Sequence, residues 1–209
     1  MTTYWPLTGL RLRTGSVELR VPNPAECEAL ADAAAREPHT HPLIPFLGVA
    51  TDTPAQRGRR TLQWLWGNAG TWQPDEWSLA LAVFDRDQLV GVQNVRAQAF
   101  ARTREARTGM WIFPDRRGQG LGTHSRRALL HLIFDGLGAH RVLHRTAADN
   151  HPALAHVRSI GCQEEPGADD ATTRHFSLTA DHWHTLTQPM PVHCTGLERA
   201  LFMFGLGPE

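Results

Sequence analysis

The run Arg116-Arg117-Gly118-Gln119-Gly120-Leu121-Gly122-Thr123 combines the residue types needed to hold a small polyanion. Glycines let the backbone turn tightly and approach an anion with no Cβ in the way. A helix opening directly after them would aim unpaired N–H groups and a partial positive charge at the same point. Arg116 and Arg117 before the loop, and Arg126 and Arg127 after it, are candidates for charge-assisted bonds to phosphate oxygens. Together these residues read as a pyrophosphate cradle. They do not make a nucleotide P-loop, because that motif needs Gly-Lys-Ser/Thr and the chain has no lysine. A dinucleotide site wants G-x-G-x-x-G after the first strand of a βαβ unit. Here the glycines fall at 118, 120 and 122, late in the chain and after a hairpin pattern.

Composition narrows the partners. The 209 residues carry 21 Lys+Arg against 21 Asp+Glu, so the net charge is zero and a polyanion such as nucleic acid is not the expected partner. Local clusters of one sign remain possible within that total. The three cysteines, Cys27, Cys162 and Cys194, are widely spaced, with no CxxC pair, so neither a disulfide framework nor a zinc site is expected. The histidines lack the paired spacing of a metal site, and no metal is predicted. The start, MTTYWPLTGLRLR, lacks the apolar core of a signal peptide, and no apolar run is long enough to span a bilayer. A soluble cytoplasmic protein without membrane contact is the expectation.

The elements that must position the glycine loop are legible in outline. Leu10–Leu12 and Val17–Val21 alternate apolar and polar residues around Thr14-Gly15, as paired strands do. Asn23-Pro24 reads as an N-cap and first helical residue of a helix to Ala35. The proline-rich segment Pro38–Pro54 reads as an irregular loop. A helix over Pro54–Asn68 places Leu62, Leu65 and Trp66 on one face, where the tryptophans are read as packing. Ser78–Phe84 and Leu89–Ala97 flank Asp85-Arg86-Asp87 as a hairpin, and Thr108–Phe113 follows as another strand. After the loop come a helix over Gly122–Leu137, a strand at Arg141–Thr146, a short helix at Pro152–Ile160 and a strand at His175–Leu178. The apolar tail Leu201–Leu206 is expected to be a packing or dimer element. This order predicts one domain over residues 1–209 of mixed α/β (α+β) class.

Arg117-Gly118-Gln119-Gly120-Leu121-Gly122 matches R/Q-x-x-G-x-G/A, the signature of the GCN5-related N-acetyltransferase (GNAT) superfamily, which the chain resembles. Asn150 with Gly161 eleven residues on resembles a segment of its ribosomal-protein and small-molecule acetyltransferases. Trp5-Pro6-Leu7, Leu10–Thr14, Trp77-Ser78-Leu79 and Val90-Gly91-Val92-Gln93 resemble a succinyltransferase branch of mycobacterial type. The resemblance implies a mixed, largely antiparallel central sheet flanked by helices, and transfer of an acyl group from acetyl-CoA or succinyl-CoA to an amine within a ternary complex. The implied acceptor is a small-molecule amine, with a protein N-terminus next, and a homodimer is possible.

By the same resemblance, Arg117, Gly118, Gln119, Gly120, Leu121, Gly122 and Thr123 hold the pyrophosphate. Trp111, Ile112 and Phe113 offer backbone N–H groups to the pantetheine and thioester carbonyl, and Asn150 contacts the pantetheine arm. Trp111 is also placed near the acyl group or acceptor, with Gln93 and His39 as acceptor-binding candidates beside Asn94. The chain departs from the family at its proton donor: the usual Ser and Tyr positions are Ala153 and Val157. His156, with His151 beside it, is the stand-in acid, and His41 and Glu105 are candidate bases. Arg96, Arg102, Arg104 and Arg107 are candidates to meet a succinyl carboxylate. The missing acid also motivates an alternative: a CoA-binding sensor, or an enzyme that acylates an unusual nitrogen nucleophile.

Overall fold

The computed structural model describes residues 4–37, 51–165, 172–186 and 190–207. Its strands are β1 (Arg11–Thr14), β2 (Val17–Arg20), β3 (Glu76–Asp85), β4 (Gln88–Gln98), β5 (Glu105–Ile112), β6 (Arg141–Ala147), β7 (Gln163–Glu164), β8 (Thr173–Thr179) and β9 (His193–Thr195). Among the described residues they form a nine-stranded sheet in the order β7-β8-β6-β5-β4-β3-β2-β1-β9. Every neighbouring pair is antiparallel except β5 and β6. The helices are α1 (Pro24–Arg36), α2 (Pro54–Gly70), α3 (Phe100–Thr103), α4 (Leu121–His131), α5 (His151–Ser159) and α6 (Ala180–Thr185).

Local chemistry sets several boundaries. Asn23 closes a capping box with Glu26 at the start of α1, and Thr53 does the same with Gln56 for α2. Arg86 and Asp87 both adopt left-handed backbone, which suits the tight turn between β3 and β4 to the strand twist. Gly91 is required where β4 passes β5, since a Cβ there would lie 2.3 Å from the Trp111 carbonyl oxygen.

The sheet separates two apolar layers. The larger holds α4, α5 and α6 with Leu81, Val95, Ala106, Leu129, Val142, Val157, Phe176 and Trp183. The smaller lies under α1 and α2 and contains Leu30, Ala82, Phe84, Val92 and Trp111. Trp111 and Arg107 therefore share one face of β5, while Ala106 and Met110 share the other, because side chains alternate along a strand.

Two expectations change and one, the tail as a packing or dimer element, resolves to packing. The helix after the glycine loop is α4 only to His131, and the chain then widens into a π-helical turn at Leu132–Gly136. There the Asp135 carboxylate accepts from Trp183 Nε1 at 3.2 Å and meets His131 and His184. The tail packs into its own chain: a 3-10 helix at Glu198–Phe204 buries Ala200, Met203 and Phe204, and Trp72 Nε1 donates to the Met203 carbonyl at 2.7 Å. Trp66, expected on a packed face, is 57% exposed, whereas Trp72 and Trp77 are buried beside Phe204. The helix rotates so that Leu65 turns inward and the larger indole outward.

Candidate active site

β5 and β6 pair only from Glu105–Arg107 to Arg141–Leu143. Beyond that point β5 runs on beside β4 to Ile112, and β6 runs on beside β8 to Ala147, so a gap opens between the two parallel strands. At its vertex His144 Nδ1 lies 3.3 Å from the Thr108 carbonyl oxygen. Phe113 donates its N–H to the Val90 carbonyl. Alternation then turns the N–H groups of Ile112 and Met110 toward the gap. Of the three residues expected to offer donors, Ile112 is thus the one whose N–H faces this opening, while Phe113 spends its own on β4.

The gap opens toward the glycine loop. Gly118 and Gly120 have φ of 75° and 78°, left-handed values that favour glycine. Gly120 is the N-cap of α4, and no side chain caps this helix. The other helices of nine or more residues are closed by Asn23, Thr53 and Asn150. The first turn of α4 thus presents orphan N–H groups, bordered by the exposed residues Arg117–Gly120 and with no acidic residue of its own. That is the arrangement an anion requires at a helix start. Gln119 and Leu121 complete the turn, with Leu121 buried as the helix anchor. Asn150 caps α5 by accepting from the Ala153 N–H at 3.2 Å.

The arginines divide in a way the sequence does not disclose. Arg117 Nε donates to the Ile112 carbonyl at 3.0 Å, and its Nη2 meets Glu37 Oε2 at 3.0 Å. Glu37 is 1% exposed, at the end of α1, and also accepts from Trp111 Nε1 at 3.1 Å. The Arg117 side chain thus ties β5 to α1, and phosphate contacts near it fall chiefly to backbone N–H groups. Sequence reasoning missed Glu37. A carboxylate at a helix C-terminus opposes the macrodipole, which is the signal that it has a partner elsewhere.

Arg126, expected at the phosphate, is instead 1% exposed inside the α4 face. None of its three guanidinium nitrogens has a hydrogen-bond partner among the described residues. Burial lowers its pKa to about 10, which leaves it charged at neutral pH. Burial first, and then its charge, push His144 down to about 3 and His156 to about 4. Burial raises the Cys162 thiol to about 11. His156 therefore sits as a neutral imidazole, 3.4 Å from Thr123 Oγ1 through Nδ1. As an acid it has only a neutral ring N–H to offer.

The remaining candidates are scattered. Gln93, expected near the acceptor, is fully buried beneath α4, where Nε2 donates to Ser125 Oγ at 2.8 Å. Its neighbour Asn94 takes the opposite face and bonds Ser78 and Leu79. Glu105 stands at the start of β5, away from the gap, and pairs with Arg141 at 3.4 Å. Trp111 buries its ring against Phe113 under the α1 and α2 layer, turns its backbone toward β4, and meets Glu37 through Nε1. His39 and His41 lie outside the described residues. Tyr4, the single tyrosine, is 91% exposed, and Val157 is core. No group of three or more metal-ligating side chains occurs among the described residues.

A splayed parallel pair, a backbone-donor strand and an uncapped helix behind a glycine turn define an acyl-CoA-dependent acyltransferase. The profile of the acetyltransferase (GNAT) domain matches residues 16–163, and the chain belongs to that family. The fold is similar to Mycobacterium smegmatis RimJ, solved in complex with CoA-disulfide, at a TM-score of 0.68 and 17% identity over 94% of this chain and 95% of that one. RimL, a ribosomal L7/L12 alpha-N-protein acetyltransferase solved with coenzyme A, gives 0.65 and 18% over 80% and 96%. A GNAT-family acetyltransferase from Bacillus anthracis gives 0.64 and 15% over 82% and 99%. No described helix is long and apolar enough to cross a membrane.

Proposed function

We propose that the chain acts as a single N-acyltransferase domain that moves an acetyl or succinyl group from CoA to the amine of a small molecule. The observation that carries this reading is the uncapped start of α4 at the mouth of the β5–β6 gap. Acyl-CoA supplies an activated thioester carbonyl. Gly118, Gly120, Gly122 and Thr123 bind its pyrophosphate through backbone N–H groups, and Asn150 flanks the arm. The Ile112 and Met110 N–H groups face the gap and polarise the carbonyl oxygen. The amine nitrogen bonds to the carbonyl carbon as the C–S bond breaks, and the nitrogen gives its proton to water.

The family's proton-donor positions hold Ala153 and Val157, so the thiolate leaves and takes its proton from water. A CoA thiol is acidic enough for this. Free-thiol release with acetyl-CoA and succinyl-CoA over a panel of small amines tests the proposal. Turnover with at least one pair is expected. Tight CoA binding with no turnover across the panel would overturn transfer in favour of a CoA sensor.

A further inference from the structure

The face of β4, β5 and β6 that carries Trp111 holds an unexplained cluster of charge. Arg96 on β4 stands directly opposite Arg107 on β5. Like charges at opposed positions destabilise a sheet. Arg107 pairs with Leu143, the last paired residue of β6, and Arg145 follows two positions later on the same face. All three side chains are exposed. Burial, then Arg145 and Arg107, depress the pKa of Arg96, so the three charges feel one another. Among the described residues no acidic side chain pairs with any of them. The acids nearest in register, Glu105 and Glu165, are both engaged by Arg141 at the far end of β6.

Among the described residues the floor beside this cluster is open. Gly109 lies between Arg107 and Trp111 on the same face of β5, and a Cβ built on it would meet nothing within 4 Å. Asn94 is its cross-strand partner. The vertex of the gap, at Thr108 and His144, lies immediately beside it. Gly109 thus leaves room beside the gap, with Arg96 and Arg107 at one end of it and Arg145 on the neighbouring strand. Arg126 is on the other face of the sheet and takes no part.

We propose that Arg96, Arg107 and Arg145 form the acceptor subsite and select an amine that carries carboxylate groups. This rests on the acyltransferase reading and adds the acceptor's chemical class. Each guanidinium presents a planar fork suited to a carboxylate, and an incoming anion relieves the repulsion among the three. Placement at the vertex sets the carboxylates a few bonds from the reacting nitrogen. Small acidic amines and the N-termini of acidic peptides share this chemistry, and the small amine is the acceptor of the acyltransferase reading.

The test compares kcat/KM for acceptors matched in size, at saturating acyl-CoA: glutamate against glutamine, and an acidic tripeptide against its amide counterpart. Acidic acceptors should react about tenfold faster at low salt, with the advantage shrinking as ionic strength rises. Arg107→Gln and Arg145→Gln should each remove most of that preference while leaving the KM for acyl-CoA unchanged. Equal rates for acidic and neutral acceptors, or a preference that survives the triple Gln variant, would overturn the assignment. So would a rise in the KM for succinyl-CoA in place of the acceptor effect, since the arginines would then serve the donor. Calorimetric titration of glutamate into the protein with CoA present reads the subsite without turnover. Binding lost in Arg107→Gln upholds the subsite even where transfer fails, and no binding by the wild type sinks it. Faster reaction of the tripeptide than of glutamate would overturn the small-amine preference.

Discussion

Among the described residues, arginine without a partner lies on both sides of the sheet, and the circumstances differ. On α4, Arg126 is sealed from water, and none of its three guanidinium nitrogens is hydrogen-bonded among the described residues. On the other face, Arg96, Arg107 and Arg145 stand in solvent around an open glycine floor. A buried lone cation lacks both water and a counter-charge, so its desolvation falls on the folded state. The exposed cations keep most of their hydration, and their mutual repulsion is screened by solvent. The first arrangement strains the core and lowers neighbouring histidine pKa values. The second is cheap to maintain and can exchange water for a ligand. An exposed cluster of charge therefore lies on the α1 and α2 side, while the family loop leads directly into the buried Arg126.

The uncapped start of α4 stands apart from both sets and gives the largest expected effect. Gly120→Asp places a carboxylate where the pyrophosphate would sit and should weaken CoA binding by about 100-fold, measured by calorimetry. A change below threefold would remove the loop from the binding site.

Arg126→Met separates the two arginine sets more finely. Replacing a buried, unpartnered cation with an apolar side chain of similar length should raise stability by about 1 to 2 kcal/mol, seen as a higher Tm. The same variant should change the acid limb of stability. His144 and His156 have folded pKa values below their usual 6.5, so the unfolded chain binds their protons first as pH falls. Their contribution is complete above pH 6.5 and is lost as pH drops toward about 4 for His156 and about 3 for His144. Chemical denaturation across that window should show a slope of up to about two protons, flatter in Arg126→Met. A steeper slope or a lower Tm in the variant would show that Arg126 is stabilised by something other than its described surroundings.

The smallest effect belongs to His156. A neutral imidazole with a pKa of about 4 supplies no imidazolium at pH 7. His156→Ala should keep kcat within about threefold above pH 6, because general acid catalysis is worth about 100-fold or more where it operates. A loss of that size would restore His156 as the proton donor.

Much of the frame was legible before any coordinates. Asn23-Pro24 and Pro54 announced their helices because caps and proline act through local backbone chemistry. The hairpin around Arg86 and the glycines at 118 and 120 were equally local. The failures are of another kind. Gln93 and Asn94, both expected at the acceptor, part because one residue of register sends a side chain to the opposite face. Glu37 reaches Arg117 across eighty positions of sequence, and Trp66 points outward through a helix rotation that periodicity alone left open. The 3-10 tail shows the same limit, since its apolar run fitted an outside partner as well as the Trp72 and Trp77 pocket.

The sequence by itself determined the chemistry of the loop: left-handed glycines before a helix with no capping side chain suit an anion wherever they fold. It also excluded a lysine-dependent phosphate site outright. Tertiary structure alone decided which arginines are available. Facing depends on strand register and on helix rotation about its axis, and both are fixed by packing across the whole sheet rather than by neighbouring residues. That is why Arg117 became a tie to Glu37, Arg126 a buried charge, and Arg96, Arg107 and Arg145 an open cluster.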